Sequence, residues 1–448
     1  MKRNENGPER HDSLAGQVAA ELARLTADLP AGAPLGVAVS GGGDSMALVH
    51  LAAPWAREAG RSLVVFTVDH GLRPPAEIAR EIALVRAAAG RLGLPHRVLP
   101  WRGWKGRGNL QAAARAARYA LLAAAAREEG AVAVLLGHTQ DDQAETVLMR
   151  LGRGAGTRGL SAMTPRHLRE GMTWLRPLLG VRRAELRAWL RAHAVGWAED
   201  PSNADPSFER VRIREALGRL GETGIDPAAV ARSARRLARA DAALEAMTDA
   251  LAREALAVRP AGGVALDLRA FLAAPEEPAL RLLMRVLARI GRLPRHREAE
   301  TALERLQRGE RVTLGQCLVR PEGHEIRIVR EWRHAQGPTL PPGPWDRRWE
   351  IRPVPGAPLP PPAGRPRVAA LGPAGLAHIR GRPAGEGRAF RPPAGASAAE
   401  LRASPALWSA DGRLLAAPVA GWVLPEGRLW RAHLRIAADD FVKSNLSH

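Results

Sequence analysis

Val37-Ala38-Val39-Ser40-Gly41-Gly42-Gly43-Asp44-Ser45 is an apolar strand running into Ser-Gly-Gly-Gly-Asp-Ser and then into a helical pattern. Three successive glycines let backbone amides come close to a phosphate, and the helix N-terminus behind them adds unpaired N–H groups with a favourable dipole. Ordering three glycines costs considerable conformational entropy, which a bound anion offsets. The stretch reads as an anion cradle between a strand and a helix. It matches neither the GxxxxGK loop of γ-phosphate chemistry nor the GxGxxG dinucleotide fingerprint, which disfavours kinase and GTPase functions.

Working outward, short β-rich runs alternate with longer helical ones. Strands are expected over 35–39, 63–68, 96–99 and 131–136, with helices over 45–57, 75–92 and 110–128. Such alternation is the signature of parallel βαβ units, so the expected fold is α/β, a doubly wound parallel sheet. A fifth strand is expected at 172–175 and a further helix at 182–193, which gives an α/β domain over 1–220. Asp226 before Pro227 reads as an N-cap with proline at the first helical position, opening a mainly helical domain over 225–335. Eleven prolines between Gln336 and Pro366 leave few amide donors and imply an extended linker over 336–366. Beyond it, a β-hairpin over 406–419 around Asp411-Gly412 marks a small β-containing C-terminal module over 367–448.

The chain has 448 residues and a formal net charge of +20, carried almost wholly by arginine since lysine occurs only at 2, 105 and 443. At ~100–200 residues per domain this length exceeds one core. The charge favours a polyanionic partner, and arginine pairs with phosphate bidentately. The single cysteine, Cys317, excludes an intramolecular disulfide and any two-thiol mechanism. With no secretory h-region at the N-terminus and no apolar run of membrane-spanning length, a soluble cytoplasmic protein without a membrane partner is expected.

Two more polar stretches follow expected strands. Val68-Asp69-His70-Gly71-Leu72-Arg73 follows the second, and Gly137-His138-Thr139-Gln140-Asp141-Asp142-Gln143-Ala144-Glu145-Thr146 the fourth. Ligands of open α/β sheets bind outside the carboxyl ends of the strands, so Ser40, Asp69 and His138 should converge on one crevice. Helical spacing puts Glu145 within reach of Asp141 and Asp142. Three carboxylates so close raise one another's pKa values unless they share a cation, which implies Mg²⁺ or a substrate ammonium. A glycine-rich loop then carries Arg153 and Arg158, and Phe208 precedes Arg210, Arg212 and Arg214. The first suits pyrophosphate or an RNA backbone, and in the second an aromatic and three arginines suit splayed single-stranded RNA by stacking and ion pairing.

The Ser-Gly-Gly-x-Asp-Ser turn resembles the phosphate loop of the N-type ATP pyrophosphatases, the PP-loop superfamily. Within it, SGGGDS (40–45), VDHGLR (68–73), AAARAARY (112–119), GHTQDDQAETVLMRLGRGAGTRGL (137–160), RPLL (176–179) and EDPSN (199–203) resemble, in order, the tRNA(Ile)-lysidine synthase family. Thiolating relatives need catalytic cysteines, and Cys317 lies far outside the α/β domain. Val211 departs from the family's usual asparagine.

The resemblance implies ATP-dependent ligation of L-lysine to C2 of the first-anticodon cytidine of a CAU-bearing tRNA(Ile), through an adenylated cytidine, with release of AMP and pyrophosphate. It further implies that Ser40, Gly41, Gly42, Gly43, Asp44 and Ser45 hold ATP. Asp44, Asp141, Asp142, Glu145 and His138 are the catalytic candidates, with Asp44 and Asp142 toward Mg²⁺. Arg115, Arg118, Arg153, Arg158, Arg210 and Arg214 are candidates for tRNA or phosphate contact, and the C-terminal module for tRNA recognition. Adenylation of a different tRNA base or a small molecule, and an inactive ATP- and RNA-binding protein, stay open as alternatives, and so does a homodimer.

Overall fold

The computed structural model describes residues 8–104, 108–199, 205–356, 365–381 and 390–442. It divides into two compact units, one ending at Asp241 and the other beginning at Ala242. The division falls inside one long helix, Pro227–Ala255.

The first unit is built on a six-stranded sheet. Its strands are β1 (Leu35–Ala38), β2 (Leu63–Asp69), β3 (His96–Pro100), β4 (Ala133–Leu136), β5 (Arg166–Arg169) and β6 (Met172–Leu175). Their order is β3-β2-β1-β4-β6-β5, all parallel except β5, which pairs antiparallel with β6. The helices are α1 (Pro8–Thr26), α2 (Gly43–Glu58), α3 (Pro75–Leu92), α4 (Leu110–Glu128), α5 (Gln140–Leu151), α6 (Thr157–Leu160), α7 (Arg183–Ala192), α8 (Glu209–Gly221) and α9 (Pro227–Ala255). One face of the sheet is sealed by α1, α2, α3 and α7 through residues such as Leu22, Met46, Val85 and Leu186. The other is sealed by α4 through Tyr119, Leu122 and Ala126 against Phe66, Val134 and Trp174. Burial on both faces explains why β1, β2 and β4 are continuous apolar runs rather than alternating ones. Chain order reverses between β1 and β4, which opens a crevice at their carboxyl ends. The expected doubly wound fold is present; the antiparallel β5 is an addition to it.

In the second unit, β7 (Leu256–Val258), β8 (Val264–Asp267), β9 (Val312–Leu314), β10 (Cys317–Glu322) and β11 (Glu325–Arg330) form a sheet of order β7-β8-β11-β10-β9. It packs on the end of α9 and on α10 (Leu268–Ala273), α11 (Glu276–Ile290) and α12 (His296–Gln307). The region expected to be mainly helical is thus helix and sheet together. The proline-rich segment also differs from its expected extended form. It contributes β12 (Gly343–Trp345) and β13 (Trp349–Pro353), and β13 pairs with a strand near the C-terminus. Pro344 sits in the edge strand β12, where a missing N–H is tolerated, while Trp345, Trp349 and Ile351 supply a buried face. Residues from 367 onward form β14 (Arg367–Ala370), α13 (Gly372–Arg380), α14 (Ala398–Arg402), β15 (Pro405–Trp408), β16 (Leu414–Ala417), β17 (Trp422–Val423) and β18 (Trp430–Leu434). The expected hairpin is β15–β16, with Gly412 at φ +84° in its turn. Among the described residues, no helix is long and apolar enough to cross a membrane.

Candidate active site

The crevice begins with the loop between β1 and α2. Gly41 adopts φ +90°, a conformation other residues reach only with strain, and its carbonyl accepts the Ala198 N–H at 2.9 Å. Gly42 is the N-cap of α2, and no side chain caps this helix start. The Ser45 hydroxyl instead turns back, accepting the Ser40 N–H at 3.1 Å and donating to the Gly42 carbonyl at 2.9 Å. The Ser45 and Met46 amides donate to the Gly42 carbonyl at 3.1 and 3.0 Å, and among the described residues those of Gly43 and Asp44 are left open to an anion. Gly137, at the end of β4, lets this turn approach closely, since a Cβ there would sit 3.1 Å from the Asp44 carbonyl oxygen.

The opposite wall is the start of α5. Thr139 caps it: its N–H and hydroxyl donate to Asp142 Oδ2 at 2.7 and 2.9 Å, and the Asp142 N–H returns to the Thr139 hydroxyl at 3.3 Å. Asp142 is therefore partly spent on shaping its own helix. Its second oxygen, Oδ1, accepts Arg183 at 2.9 Å and Arg210 at 2.7 Å.

Arg183, the first residue of α7, knots the site together. Its Nε donates to Asp44 at 3.0 Å, its Nη2 to Asp142, its Nη1 to Glu145 at 3.3 Å, and its own N–H to Asp141 at 2.7 Å. Glu145, only 1% exposed, also accepts Arg210 and Arg214. Three carboxylates from α2 and α5 thus meet three guanidinium groups from α7 and α8, and Asp141 is held by the α7 backbone. Burial pulls the Arg183 pKa down, but Asp142, Asp44 and Glu145 more than reverse this and hold the guanidinium firmly charged. Burial dominates at Asp44 and raises its carboxyl pKa despite Arg183.

A model of the PP-loop domain family matches residues 14–220. A tRNA(Ile)-lysidine synthase of Ruegeria pomeroyi is 44% identical over 425 residues, which cover 92% of this chain and 94% of that protein. The chain belongs to the tRNA(Ile)-lysidine synthase family. A relative of the same name from Bradyrhizobium is 48% identical over 65% of this chain and 84% of its own length. Among solved structures, a U34-tRNA thiolase of Methanococcus maripaludis aligns over 51% of this chain and 80% of that chain, at 17% identity and a TM-score of 0.44.

In this lysidine synthase family member, the expected acidic residues Asp44, Asp141, Asp142 and Glu145 are one cluster beside the glycine-rich turn. The cation they share here is arginine. Arg210 and Arg214, expected to face phosphate or RNA, instead hold Asp142 and Glu145. They lie four residues apart on α8, and Val211 between them is 8% exposed, so the residue that departs from the family pattern faces the core. Arg153 pairs with Glu209. Asp69 fixes its own loop, accepting the Gly71 N–H and Arg102, each at 2.8 Å. Of the EDPSN stretch, residues 200–203 lie outside the described residues.

Arg115 and Arg118 stand 5.4 and 5.7 Å from the ring centre of buried Tyr119, and Arg169 at 4.2 Å. Arg176 adds a fourth cation, donating to the Thr164 carbonyl at 2.7 Å and lying 3.4 Å from His167. Burial and then Arg176 push the His138 pKa well down, so its imidazole is neutral, and its Nδ1 is buried without a hydrogen-bond partner among the described residues. Arg183 is the functional residue missed in the sequence. The only signal for it was local: it opens the helix expected just after the RPLL stretch.

Proposed function

We propose that this chain ligates L-lysine to C2 of the first-anticodon cytidine of CAU-bearing tRNA(Ile), consuming ATP. The cytosine O2 attacks the α-phosphate, forming an O–P bond and releasing pyrophosphate. The lysine ε-amine, after losing a proton, forms the C2–N bond, and AMP leaves with the C2–O pair. The observation that carries this reading is a glycine-rich helix start, uncapped by any side chain, beside a cluster of four carboxylates of which Asp142 and Glu145 are buried.

The residues divide the work. Amides of the 40–45 loop bind the ATP phosphates and stabilise charge developing on phosphorus. Mg²⁺ is bound in proteins by one or two carboxylates plus substrate phosphates. Asp44 fits that role, since only one of its oxygens is engaged by Arg183; Asp142 does not, because both of its oxygens already accept two hydrogen bonds each. Mg²⁺ bound at Asp44 would neutralise pyrophosphate as it leaves. Asp141, with one oxygen on the Arg183 amide and the other open, is suited to the lysine ammonium. A carboxylate of the cluster suits the proton that the amine must lose better than His138, because the arginines that keep its imidazole neutral oppose its protonation.

The test supplies purified protein with ATP, Mg²⁺, labelled lysine and an unmodified CAU tRNA(Ile) transcript. Acid-precipitable lysine with matching AMP is expected, and none with the CAU-bearing methionine tRNA. AMP without lysine transfer would move the reading to another acceptor; neither product would overturn it. Asp44→Asn and Asp142→Asn should each abolish AMP formation while tRNA affinity stays nearly unchanged. Asparagine is chosen at 142 because it keeps an acceptor for the α5 cap. Turnover in both variants comparable to the unmodified enzyme would refute the site assignment.

A further inference from the structure

We infer that one face of the first half of α9 is a docking strip for the phosphodiester backbone of the tRNA; this rests on the tRNA reading above. Residues 227–240 contain no acidic side chain and four arginines, at 232, 235, 236 and 239. These spacings of three and four put all four guanidinium groups on one helix face, within about two turns. All four residues are exposed, and among the described residues none has a carboxylate within ion-pair distance.

The opposite face is a packing face. Val230 and Ala234 are buried against Ala144 and Val147 of α5 and against Leu217 of α8. The strip therefore rides on a helix packed directly against the two helices that carry the carboxylate cluster. Near its end, the Thr157 hydroxyl meets Asp241 at 3.4 Å, which ties the glycine-rich 152–157 segment to the same helix.

Two features separate this strip from an ordinary solvated face. Arg232 with Arg236, and Arg235 with Arg239, are like-charge pairs at i,i+4, which weaken a helix unless a counter-charge is present. The second half of α9 shows how the same chain treats charges that serve packing. Glu245 and Asp249 there are paired with Arg281 and Arg285 of α11. Cations left together without acids suit a polyanion, and the planar fork of arginine suits phosphate oxygens in particular.

The experiment compares the unmodified protein with R232Q/R235Q/R236Q/R239Q, using CAU tRNA(Ile) transcript over a salt series. Thermal unfolding without tRNA first checks that the variant is folded; removal of two like-charge pairs should leave the midpoint equal or higher. Each lost phosphate contact lowers the slope of log affinity against log salt by roughly one. The variant should lose two or more units of slope and raise the KM for tRNA at least tenfold, with kcat at saturating tRNA retained. A second variant, R253Q, removes an exposed arginine elsewhere on the same helix and should keep the unmodified slope.

Lysine ligation by the unmodified protein, with slope and KM unchanged in the quadruple variant, overturns the strip and leaves the function standing. A slope lost in the quadruple variant, with no lysine ligation by the unmodified protein, supports the strip and overturns the function. Loss of binding to phosphatidylglycerol vesicles, with tRNA binding intact, also overturns the strip.

Discussion

The first unit contains two arginine clusters that solve opposite electrostatic problems. Around Glu145, the guanidinium groups of Arg183, Arg210 and Arg214 meet three carboxylates, and the Arg183 backbone N–H holds a fourth, Asp141. Around Tyr119, Arg115, Arg118, Arg169 and Arg176 gather on an aromatic face and beside two histidines that burial and the arginines keep neutral. The first cluster is a brace: a buried charge pair is costly to break once built, so it fixes the geometry of the helices it joins. The second is a reserve of positive potential, because cation–π contacts leave most guanidinium donors available. An adenylating enzyme acting on RNA needs both, since acid groups must be held at fixed spacing while polyanions pass beside them. Arginine content alone distinguishes neither; the partner does.

The most direct way to break this contrast is Arg183→Ala. Losing the knot should lower kcat by on the order of 10²–10³-fold, the size expected when one preorganising donor is removed from a reaction centre. The KM for tRNA should stay close to its original value, because the residue acts through Asp44, Asp142 and Glu145. Arg183→Lys keeps the charge without the fork and should recover only part of the rate. A kcat within a few-fold of the unmodified enzyme would show that the brace holds nothing the reaction uses.

Next in size is Arg118→Gln in the second cluster. Removing one cation from the reserve should raise the KM for tRNA by about tenfold, roughly 1.4 kcal/mol of binding, with kcat largely kept. It should also move the His138 pKa back toward 6.5, since Arg118 is among the charges depressing it. Imidazole resonances followed by NMR would report that shift. An unchanged KM with an unchanged histidine titration would make the cluster a packing feature.

Much of this was legible because the decisive signals are local. SGGGDS places strand, turn and helix within nine residues, and Thr139 with Asp142 is a capping box readable from spacing alone. The brace was not legible. Arg183 is one of many arginines, 139 residues from Asp44 and about 40 from Asp142 and Glu145, and sequence does not say which cations already have acids. For the same reason Arg210 and Arg214 were assigned to RNA. Short strands escaped too: β7 and β9 are three residues each, too brief to display a period, and β5 is an Arg-His-Leu-Arg edge with little apolar content. The proline-rich segment misled because composition counts prolines, whereas pairing depends on where they fall. Trp349 and Ile351 alternate on β13, whose only proline ends it.

The smallest effect expected is the pH dependence that the second cluster contributes. Burial, then Arg176 and Arg169, push the His167 pKa from 6.5 down to about 4. Between those values the unfolded chain binds a proton that the folded chain refuses. Stability must therefore fall as pH drops from about 6.5 toward 4, and level off below it. His167→Gln removes this one titration and should make that part of the profile shallower, with His138 among the groups that keep the remainder, leaving the midpoint at neutral pH close to that of the unmodified protein. The braced cluster should respond with the opposite sign, since burial raises the Asp44 carboxyl pKa and its protonation on acidification relieves a cost that the folded state carries. Thermal midpoints at intervals across this range, for the unmodified protein and the variant, read the difference directly. Parallel curves would mean that the arginines around Tyr119 do not hold His167 neutral, and the second cluster would lose its claim to be a reserve of unspent charge.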